Sequence, residues 1–302
     1  LEQVASATTL FRNFTARALK DDRPEPPVEL MLREDGVRYS PLDEGGAASF
    51  YSAATAPEQQ DLQKVARLRR LDPLMMDLHA GNPLIASLYF NSWDSYNHIY
   101  PWFDTAAQYP PDVDIPSFNF YYLASSWQNP ARRVVWTDVY LDPAGNGWMM
   151  SAIAPVYRGD FLEGVCGIDV TVSGILQRIA SLRVPWKGYA MLISRDLNIM
   201  ALPKAGERQF GLAELTDHSY AEAIGREIFK PQDFQLGRRV QTSRLASAIA
   251  AQAEGVKSVS LDGQRQLVAW ATVEQTGWRL LAVVDEAEVF SQTTTLASHY
   301  RQ

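Results

Sequence analysis

The chain has 302 residues, of which 46% are hydrophobic and 21% are charged, so it can bury a sizeable core and has about the length of two ordinary domains. Its net charge of −7 argues against duplex nucleic acid as a partner, because that binding depends on basic surfaces that release phosphate counterions. The single Cys166 excludes an internal disulfide and a cysteine-based zinc cluster. No apolar run reaches the roughly 20 residues of a membrane-spanning helix, and we expect two globular domains.

The first eighty residues or so predict two helices separated by loops. Apolar residues at three-and-four spacing predict an amphipathic helix over residues 1–20. The polar, glycine-containing stretch 34–56 predicts loops and turns. A second helix is predicted over residues 57–79, because Pro57 suits a first helical turn and residues 81–83 (Gly-Asn-Pro) form a stop signal.

Short β-rich runs follow, separated by turn residues. The first group predicts a hairpin and three further antiparallel strands: residues 84–90, 96–102, 134–141, 148–157 and 161–170. Ser173 is then the predicted N-cap of a helix that ends near Arg183. After Pro185 the same order recurs in a second group of strands: residues 189–194, 199–202, 256–261, 266–274 and 278–284. Each group closes with an apolar strand that runs into an aspartate and then a helix, which is a weak internal repeat.

This repeat predicts an α+β fold of two tandem modules, each a five-stranded antiparallel sheet with flanking helices. Further helical segments are expected within residues 212–254. The predicted organisation has four parts: an N-terminal helix and connecting segment (1–56), a first module (57–184), a second module (185–285) and a C-terminal helix (286–302).

The first module is rich in aromatic residues, since 18 of the 33 in the chain lie between Leu84 and Asp169. They include more tyrosine and tryptophan than a dry core favours, because each polar tip needs a partner when it is buried. An aromatic core and a ligand pocket covered by the proline-rich segment 103–131 are both consistent with this enrichment. Under the second interpretation the candidate pocket residues include Trp93, Tyr96, His98 and Trp136.

Residues 135–172, VWTDVYLDPAGNGWMMSAIAPVYRGDFLEGVCGIDVTV, resemble the hallmark segment of double Cache domains. The shared pattern is a tryptophan-threonine strand, a tyrosine-x-aspartate, a glycine turn, a strand ending in proline-valine, and a final glycine-valine-x-glycine-x-aspartate. Double Cache domains are PAS-like extracytoplasmic ligand sensors of bacterial histidine kinases, chemoreceptors and diguanylate cyclases. The resemblance implies two Cache modules stacked along the long N-terminal helix, with the first module distal to the membrane.

The resemblance also implies a ligand site in the first module. In amino-acid-binding members a tyrosine-x-aspartate pair and a later aspartate hold the ligand ammonium, and Tyr140, Asp142 and Asp169 match these positions. An arginine-x-tryptophan pair holds the ligand carboxylate in those members, and here Asn119 and Tyr121 stand in its place. The cation-binding end of the site is therefore kept and the carboxylate-binding end is missing, which disfavours an α-amino acid.

The types of these residues also support a cation-binding site. Tyr140 and Asp142 lie two apart on a predicted strand and so face the same side. Two carboxylates beside aromatic rings suit an ammonium group, through charge-assisted hydrogen bonds and a cation–π attraction of roughly 0.5–2 kcal/mol. The alternative is that Asp142 only begins the following turn and Asp169 only caps the next helix. Asp94 and Asp138 lie near the same strands and are reserve candidates.

The predicted function is ligand sensing by the periplasmic or extracellular part of a membrane receptor, with a histidine kinase as the first expectation and a chemoreceptor or diguanylate cyclase as the alternative. The rivals are a secreted hydrolase that uses Asp142 and Asp169 as an acid–base pair and a free solute-binding protein. We expect no cofactor, no metal, a small polar ligand with an amine, a homodimer formed through the N-terminal helix, and membrane spans beyond both ends of the printed sequence.

Overall fold

The computed structural model describes residues 1–215 and 220–291 of the chain, and these residues form two compact units. The first unit contains residues 1–171 together with 220–229, and the second contains the remaining described residues. Each unit is built on one antiparallel sheet with helices packed against it. The α+β fold class and the two modules predicted from the sequence are confirmed.

The sheet of the first unit has nine strands among the described residues: β1 (Met31–Leu32), β2 (Arg38–Tyr39), β3 (Ala48–Tyr51), β4 (Ser87–Ser92), β5 (Tyr96–Tyr100), β6 (Val135–Trp136), β7 (Tyr140–Leu141), β8 (Trp148–Arg158) and β9 (Phe161–Thr171). The strand order is β1-β2-β3-β5-β4-β9-β8-β6, and β7 pairs with the start of β8. The predicted strand 134–141 is therefore divided into two short strands.

Two strands lie where the sequence predicted only loops. Residues 34–56 contain β2 and β3, and β3 pairs along its length with β5. All four residues of β3 are buried. The prediction of loops was wrong because so short a strand, buried on both faces, shows no alternation of polar and apolar residues. The first sheet is therefore larger than the five strands predicted for it.

The long N-terminal helix α1 (Glu2–Lys20) packs on β8 and β9, as its apolar face predicts. The predicted second helix is divided into a 3₁₀ turn at Pro57–Gln59, α2 (Leu62–Arg69) and α3 (Asp72–Gly81). Pro73 accounts for the break before α3, because proline is tolerated only in the first turn of a helix. The segment predicted as a lid contains two short helices, α4 (Thr105–Gln108) and α5 (Asn119–Tyr122).

The second unit has the five strands predicted for it among the described residues: β10 (Tyr189–Ile193), β11 (Ile199–Ala201), β12 (Glu254–Leu261), β13 (Gln264–Val273) and β14 (Trp278–Asp285). Their order is β11-β10-β14-β13-β12. The other helices of the chain that have full bounds are α6 (Val172–Ala180), α7 (Lys204–Phe210), α8 (Tyr220–Ala223) and α9 (Ser243–Ala251). Residues 286–291 begin the predicted C-terminal helix, and the rest of it lies outside the described residues.

The division between the units differs from the sequence-based boundary near Pro185. Helix α6 begins at Val172, so Ser173 lies inside the helix and is not its cap. The helix packs on β10 and β11 of the second unit. Residues 220–229 return to the first unit. There Phe229 bridges Tyr140, and the Leu141 N–H donates to the Ile228 carbonyl at 2.8 Å. The first unit is therefore discontinuous in sequence.

Across both described stretches of the chain, no helix has the length and apolar character that spanning a membrane requires.

Candidate ligand-binding site

A row of polar residues crosses three neighbouring strands of the first sheet. Asp169 on β9 lies directly opposite Ser87 on β4 and Ser151 on β8. Both serine hydroxyls donate to its carboxylate, with oxygen–oxygen distances of 2.5 Å for Ser87 and 2.6 Å for Ser151. The Tyr140 hydroxyl lies 2.7 Å from the Ser151 hydroxyl and extends the row. The Asp169 carboxylate is thus held by neighbouring strands rather than by the N-terminus of α6.

Asp142 follows β7 and holds the turn that leads into β8. Its carboxylate accepts hydrogen bonds from the Ala144 N–H at 2.9 Å and from the backbone and side-chain amides of Asn146 at 3.1 and 2.8 Å. Gly145 and Gly147 have φ angles of 94° and 91°, a left-handed conformation that favours glycine. Asp142 therefore begins the turn, as one of the sequence-based alternatives stated, and it also lines the cavity described next.

A cavity lies beside the two aspartates, between the sheet and the segments that follow β5 and β7. Its lining comprises Tyr89, Asn91, Asn97, Ile99, Tyr109, Val113, Ile115, Phe118, Phe120, Tyr140, Asp142, Pro143, Ala144 and Asp169. Segment 103–131, the predicted lid, contributes five of these side chains. The free volume is about 40 Å³, room for a few water molecules. A small organic ligand therefore requires side chains or the covering segment to move outward.

Burial dominates the electrostatics of this cavity, because Asp169 is 2% exposed and Asp142 is 5% exposed. Burial, followed by the negative charge of Asp142, raises the pKa of Asp169 to about 7. Burial also raises the pKa of Asp142, against the hydrogen bonds of its turn. No lysine, arginine or histidine of the described residues lines the cavity. The two carboxylates thus have no basic side chain beside them, which is the charge pattern that a cationic ligand complements.

The two glycines of the glycine-valine-x-glycine-x-aspartate motif make room for aromatic rings on β4. A Cβ atom added to Gly167 would lie 2.0 Å from Cζ of Tyr89, and one added to Gly164 would lie 2.5 Å from the ring of Phe90. Tyr89 lines the cavity. The absence of a side chain at Gly167 therefore leaves room for the Tyr89 ring in the cavity wall. Gly167 precedes Asp169 by two residues on β9.

Of the residues predicted from the sequence, Tyr140, Asp142 and Asp169 come together in the cavity, and Asn119 and Tyr121 do not. Both of the latter are buried on α5, but the residues that line the cavity from this segment are their neighbours, Phe118 and Phe120. Tyr121 belongs to the apolar core beside the cavity. Neither polar atom of the Asn119 side chain has a hydrogen-bond partner among the described residues.

Tyr96 and His98 belong to a separate buried chain of hydrogen bonds. The Tyr96 hydroxyl lies 2.9 Å from the Ser49 hydroxyl and 3.1 Å from Nδ1 of His98. Nε2 of His98 lies 2.7 Å from the Asp72 carboxylate. These contacts connect β3, β5 and α3, so the two residues hold the unit together and do not line the cavity.

Trp93, Trp136 and Asp138 also lie outside the cavity lining. Trp93 is 51% exposed and contacts Phe161 edge-on, with ring centroids 5.5 Å apart. Trp136 and Asp138 are half-buried on and after β6, and Asp138 accepts a hydrogen bond from the Val139 N–H at 2.8 Å. The aromatic enrichment of the first module thus serves both its core and its cavity.

The reserve candidate Asp94 belongs to a buried ion pair. Nζ of Lys64 lies 2.5 and 2.7 Å from its two carboxylate oxygens, and the Ser92 and Tyr51 hydroxyls also donate to it. Burial raises the pKa of Asp94, but the charge and hydrogen bonds of these partners outweigh it, so the pKa lies below its ordinary value. Burial lowers the pKa of Lys64. This pair anchors the turn between β4 and β5 to α2.

Sequence reasoning missed Ser87, Ser151 and Tyr89, along with the phenylalanines of the covering segment. The two serines could be predicted only if the register of the sheet were known, because they are the residues directly opposite Asp169 on its two neighbouring strands. A one-residue shift of either strand would turn its serine to the other face. The sequence alone does not specify that register.

No protein-family model matches the chain. The methyl-accepting chemotaxis protein McpC of Bacillus subtilis is 23% identical to it over 256 residues, which cover 85% of this chain and 32% of McpC. The chain therefore spans about a third of the length of this curated relative.

Two solved extracellular domains of receptor proteins have a similar architecture. The ligand-binding domain of the Pseudomonas aeruginosa amino acid chemoreceptor PctB, in complex with L-Gln, matches 99% of this chain and 98% of its own, with 15% identity and a TM-score of 0.51. The extracellular domain of mmHK1S-Z3, a proposed histidine kinase, matches 74% of this chain and 81% of its own, with 15% identity and a TM-score of 0.50. The chain has the fold of these extracellular domains, and the fold that the double Cache resemblance implied is confirmed.

Proposed function

We propose that this chain is the extracytoplasmic sensor domain of a membrane signalling receptor and that the cavity of its first unit binds a small molecule through a cationic amine. The observation that carries the ligand class is the pair of buried aspartates, Asp142 and Asp169, in a cavity whose described lining contains no basic side chain. A bound ammonium group supplies the missing charge and donates hydrogen bonds to the carboxylates. The receptor relatives support the sensor role.

The aromatic wall of the cavity favours an amine with an apolar remainder. Phe118 and Phe120 stack with ring centroids 5.1 Å apart, and Phe120 lies 5.7 Å from the ring of Tyr140. A ring face close to the carboxylates adds roughly 0.5–2 kcal/mol of cation–π attraction to a bound ammonium group. The rest of the ligand would contact these rings and the aliphatic residues of segment 103–131.

The same lining disfavours an α-amino acid, although the PctB domain holds L-Gln. A ligand carboxylate would enter beside two buried acids without a basic partner, and an unpaired buried charge is costly. Asn119, which stands at the family's arginine position, carries no charge. We therefore infer that the ligand is an amine without an adjacent carboxylate.

Isothermal titration calorimetry with pairs of compounds that differ only by that carboxylate tests this inference. Suitable pairs are phenethylamine with L-phenylalanine and isobutylamine with L-valine. We expect saturable binding of at least one amine and no binding of its amino acid. An amino acid that binds more tightly than its amine overturns the ligand class.

The output of the receptor is a separate part of the proposal. We propose a histidine kinase, with mmHK1S-Z3 in support, and we keep the chemoreceptor alternative because McpC is a chemotaxis protein. The coding sequence downstream of Gln302 distinguishes the two outputs. A kinase requires a phosphoacceptor histidine and an ATP-binding domain, whereas a chemoreceptor requires a long helical coiled coil.

We also propose that α1 mediates homodimerisation. Leu10 and Phe14, one helical turn apart, are 43% and 41% exposed although both are large and apolar. Analytical ultracentrifugation of the Leu10→Ser/Phe14→Ser variant tests this, because a dimer formed through this face should dissociate at concentrations where the unchanged chain stays associated.

A further inference from the structure

The first unit carries a second concave surface that shares no lining residue with the amine cavity. This surface, the basic groove, has a volume of about 420 Å³ and is lined by one face of α1 and by residues 132–134. Three arginines contribute to it, Arg12 from α1 and the adjacent Arg132 and Arg133. No acidic side chain is among its lining residues in the described chain.

The positive charge of the basic groove is only partly balanced. Arg132 pairs with Asp160 at 2.8 Å, and the Asp160 side chain is fully exposed, so the pair is weak. Arg12 bonds instead to the Asn13 side chain at 3.2 Å and to the Arg132 carbonyl at 3.4 Å. Arg133 forms no ion pair within the described residues. A local excess of positive charge thus persists on a chain whose net charge is −7, and a bound anion would relieve the repulsion.

The loop that carries the two adjacent arginines is held in a fixed conformation. Asn129, which is 4% exposed, donates from Nδ2 to the Arg133 carbonyl at 2.6 Å and accepts the Arg133 N–H at 3.2 Å. Arg132 has a φ of 52°, which residues other than glycine rarely adopt. Its guanidinium lies 3.9 Å from the centroid of the Tyr157 ring. Backbone strain of this kind persists only where surrounding contacts impose it, and it is concentrated at functional sites.

We propose that the basic groove binds a small oxyanion with two or more negative charges, of the phosphate or dicarboxylate type. Planar guanidinium groups match the paired oxygens of both types in bidentate hydrogen bonds. An anion held by Arg12 on one side and Arg133 on the other would connect α1 to the loop 129–133. The groove is therefore a second ligand site in the unit that contains the amine cavity, with the opposite charge preference.

Thermal unfolding and calorimetry with sodium phosphate, sodium malonate and sodium chloride at equal ionic strength test the proposal. We expect a saturable rise in Tm with phosphate or malonate and none with chloride. The Arg12→Gln/Arg133→Gln variant should weaken this binding at least tenfold. The matched control is Arg17→Gln, because Arg17 lies on the same helix with its guanidinium 5.5 Å from the Phe14 ring and outside the groove. Asp169→Asn should leave anion binding unchanged, which separates this site from the amine cavity.

The result with each anion has a defined meaning. Binding of phosphate alone assigns a phosphate-bearing ligand, and binding of malonate alone assigns a dicarboxylate. A Tm rise that chloride reproduces, or equal weakening by Arg17→Gln and by the double variant, overturns the proposal. If the double variant does not fold, Ser6→Glu places a negative charge on the exposed rim of the groove, and unchanged anion affinity in that variant also overturns it.

Discussion

Ser151 and Asp169 lie directly opposite each other on β8 and β9, and the serine hydroxyl donates a 2.6 Å hydrogen bond to the carboxylate. Ser87 makes the equivalent bond from the other side. Both donors are neutral, so they orient the carboxylate without cancelling its charge. The serines thus fix the position of the Asp169 carboxylate, and a bound cation would have to neutralise its negative charge. The predictions for the cavity follow from this arrangement.

The Asp169→Asn variant should lose amine binding and keep its fold. Truncating one partner of a buried charge pair costs about 2–5 kcal/mol, so we expect Kd for a binding amine to rise about 30-fold or more in calorimetry. Tm at pH 8 should be equal or higher, because the substitution removes a buried charge. Asp77→Asn is the matched control, since Asp77 is exposed on α3 of the same unit. Equal affinity in Asp169→Asn and Asp77→Asn would place the amine elsewhere.

Amine affinity should rise with pH through neutrality. The pKa of Asp169 is raised from about 3.9 to about 7 in the folded chain, and an ammonium ligand binds the ionised carboxylate. Affinity measured by calorimetry should therefore increase from pH 5 to pH 8, by up to about tenfold per unit below the folded pKa. In the Asp169→Asn variant this dependence should be much smaller, and an unchanged pH profile there contradicts the assignment to Asp169.

The same raised pKa predicts how the unliganded protein responds to pH. Between the ordinary pKa of about 4 and the folded pKa of about 7, the folded state holds a proton on Asp169 that the unfolded state has released. The free energy of unfolding should therefore fall as pH rises through this window. Urea unfolding of unchanged chain and of Asp169→Asn at pH 5 and pH 8 measures it, and the slope attributable to Asp169 is the difference between the two.

Gly167→Ala should disturb the cavity through Tyr89. The new Cβ atom would lie 2.0 Å from Cζ of Tyr89, so the ring must leave its position on the cavity wall. We expect a loss of stability of about 1–3 kcal/mol from overpacking and weaker amine binding in the same variant. Gly81→Ala is the control, because its added Cβ would have no other residue of the described chain within 4 Å, apart from its chain neighbours and the backbone of its own helix. Wild-type Tm and affinity in Gly167→Ala would show that Tyr89 has space to move without consequence.

Lys64→Met should destabilise the first unit without touching the cavity. The variant leaves Asp94 buried without its cation, and breaking a buried pair in this way costs about 3–5 kcal/mol. The Lys64→Met/Asp94→Leu double variant should recover a large part of that loss in urea unfolding, since no charge is then left unpaired. Lys204→Met, at a side chain that is 93% exposed, should change the free energy of unfolding by no more than about 0.5 kcal/mol.

Of the residues that line the cavity, the sequence predicts Tyr140, Asp142 and Asp169. Tyr140 and Asp142 are identified by the tyrosine-x-aspartate motif and Asp169 by the later aspartate of the same family pattern, because these signals are local in the sequence. Ser87 reaches Asp169 only through the register of β4 with β9, which depends on the folded sheet. Asn119 and Tyr121 stand at the positions of the family's arginine-x-tryptophan pair, but their neighbours Phe118 and Phe120 line the cavity.

The fold shows the same limit. Long elements with clear periodicity, such as α1 and the strands β8 and β9, coincide closely with their predicted ranges. The short β3 is identified only by its pairing with β5, which joins residues about fifty positions apart. The assignment of α6 to the second unit also depends on tertiary packing, which its helical pattern cannot specify.

The return of residues 220–229 to the first unit limits how the chain can be dissected or recombined. The Leu141 N–H donates to Ile228, and Tyr140 is bridged by Phe229. A fragment that stops near residue 184 would expose this edge of β7, which is followed directly by the cavity residue Asp142. A chimaeric biosensor made by transplanting the first module as one contiguous block should therefore bind poorly. A graft that extends to residue 229, or a fragment complemented in trans by a peptide of residues 220–229, should restore it.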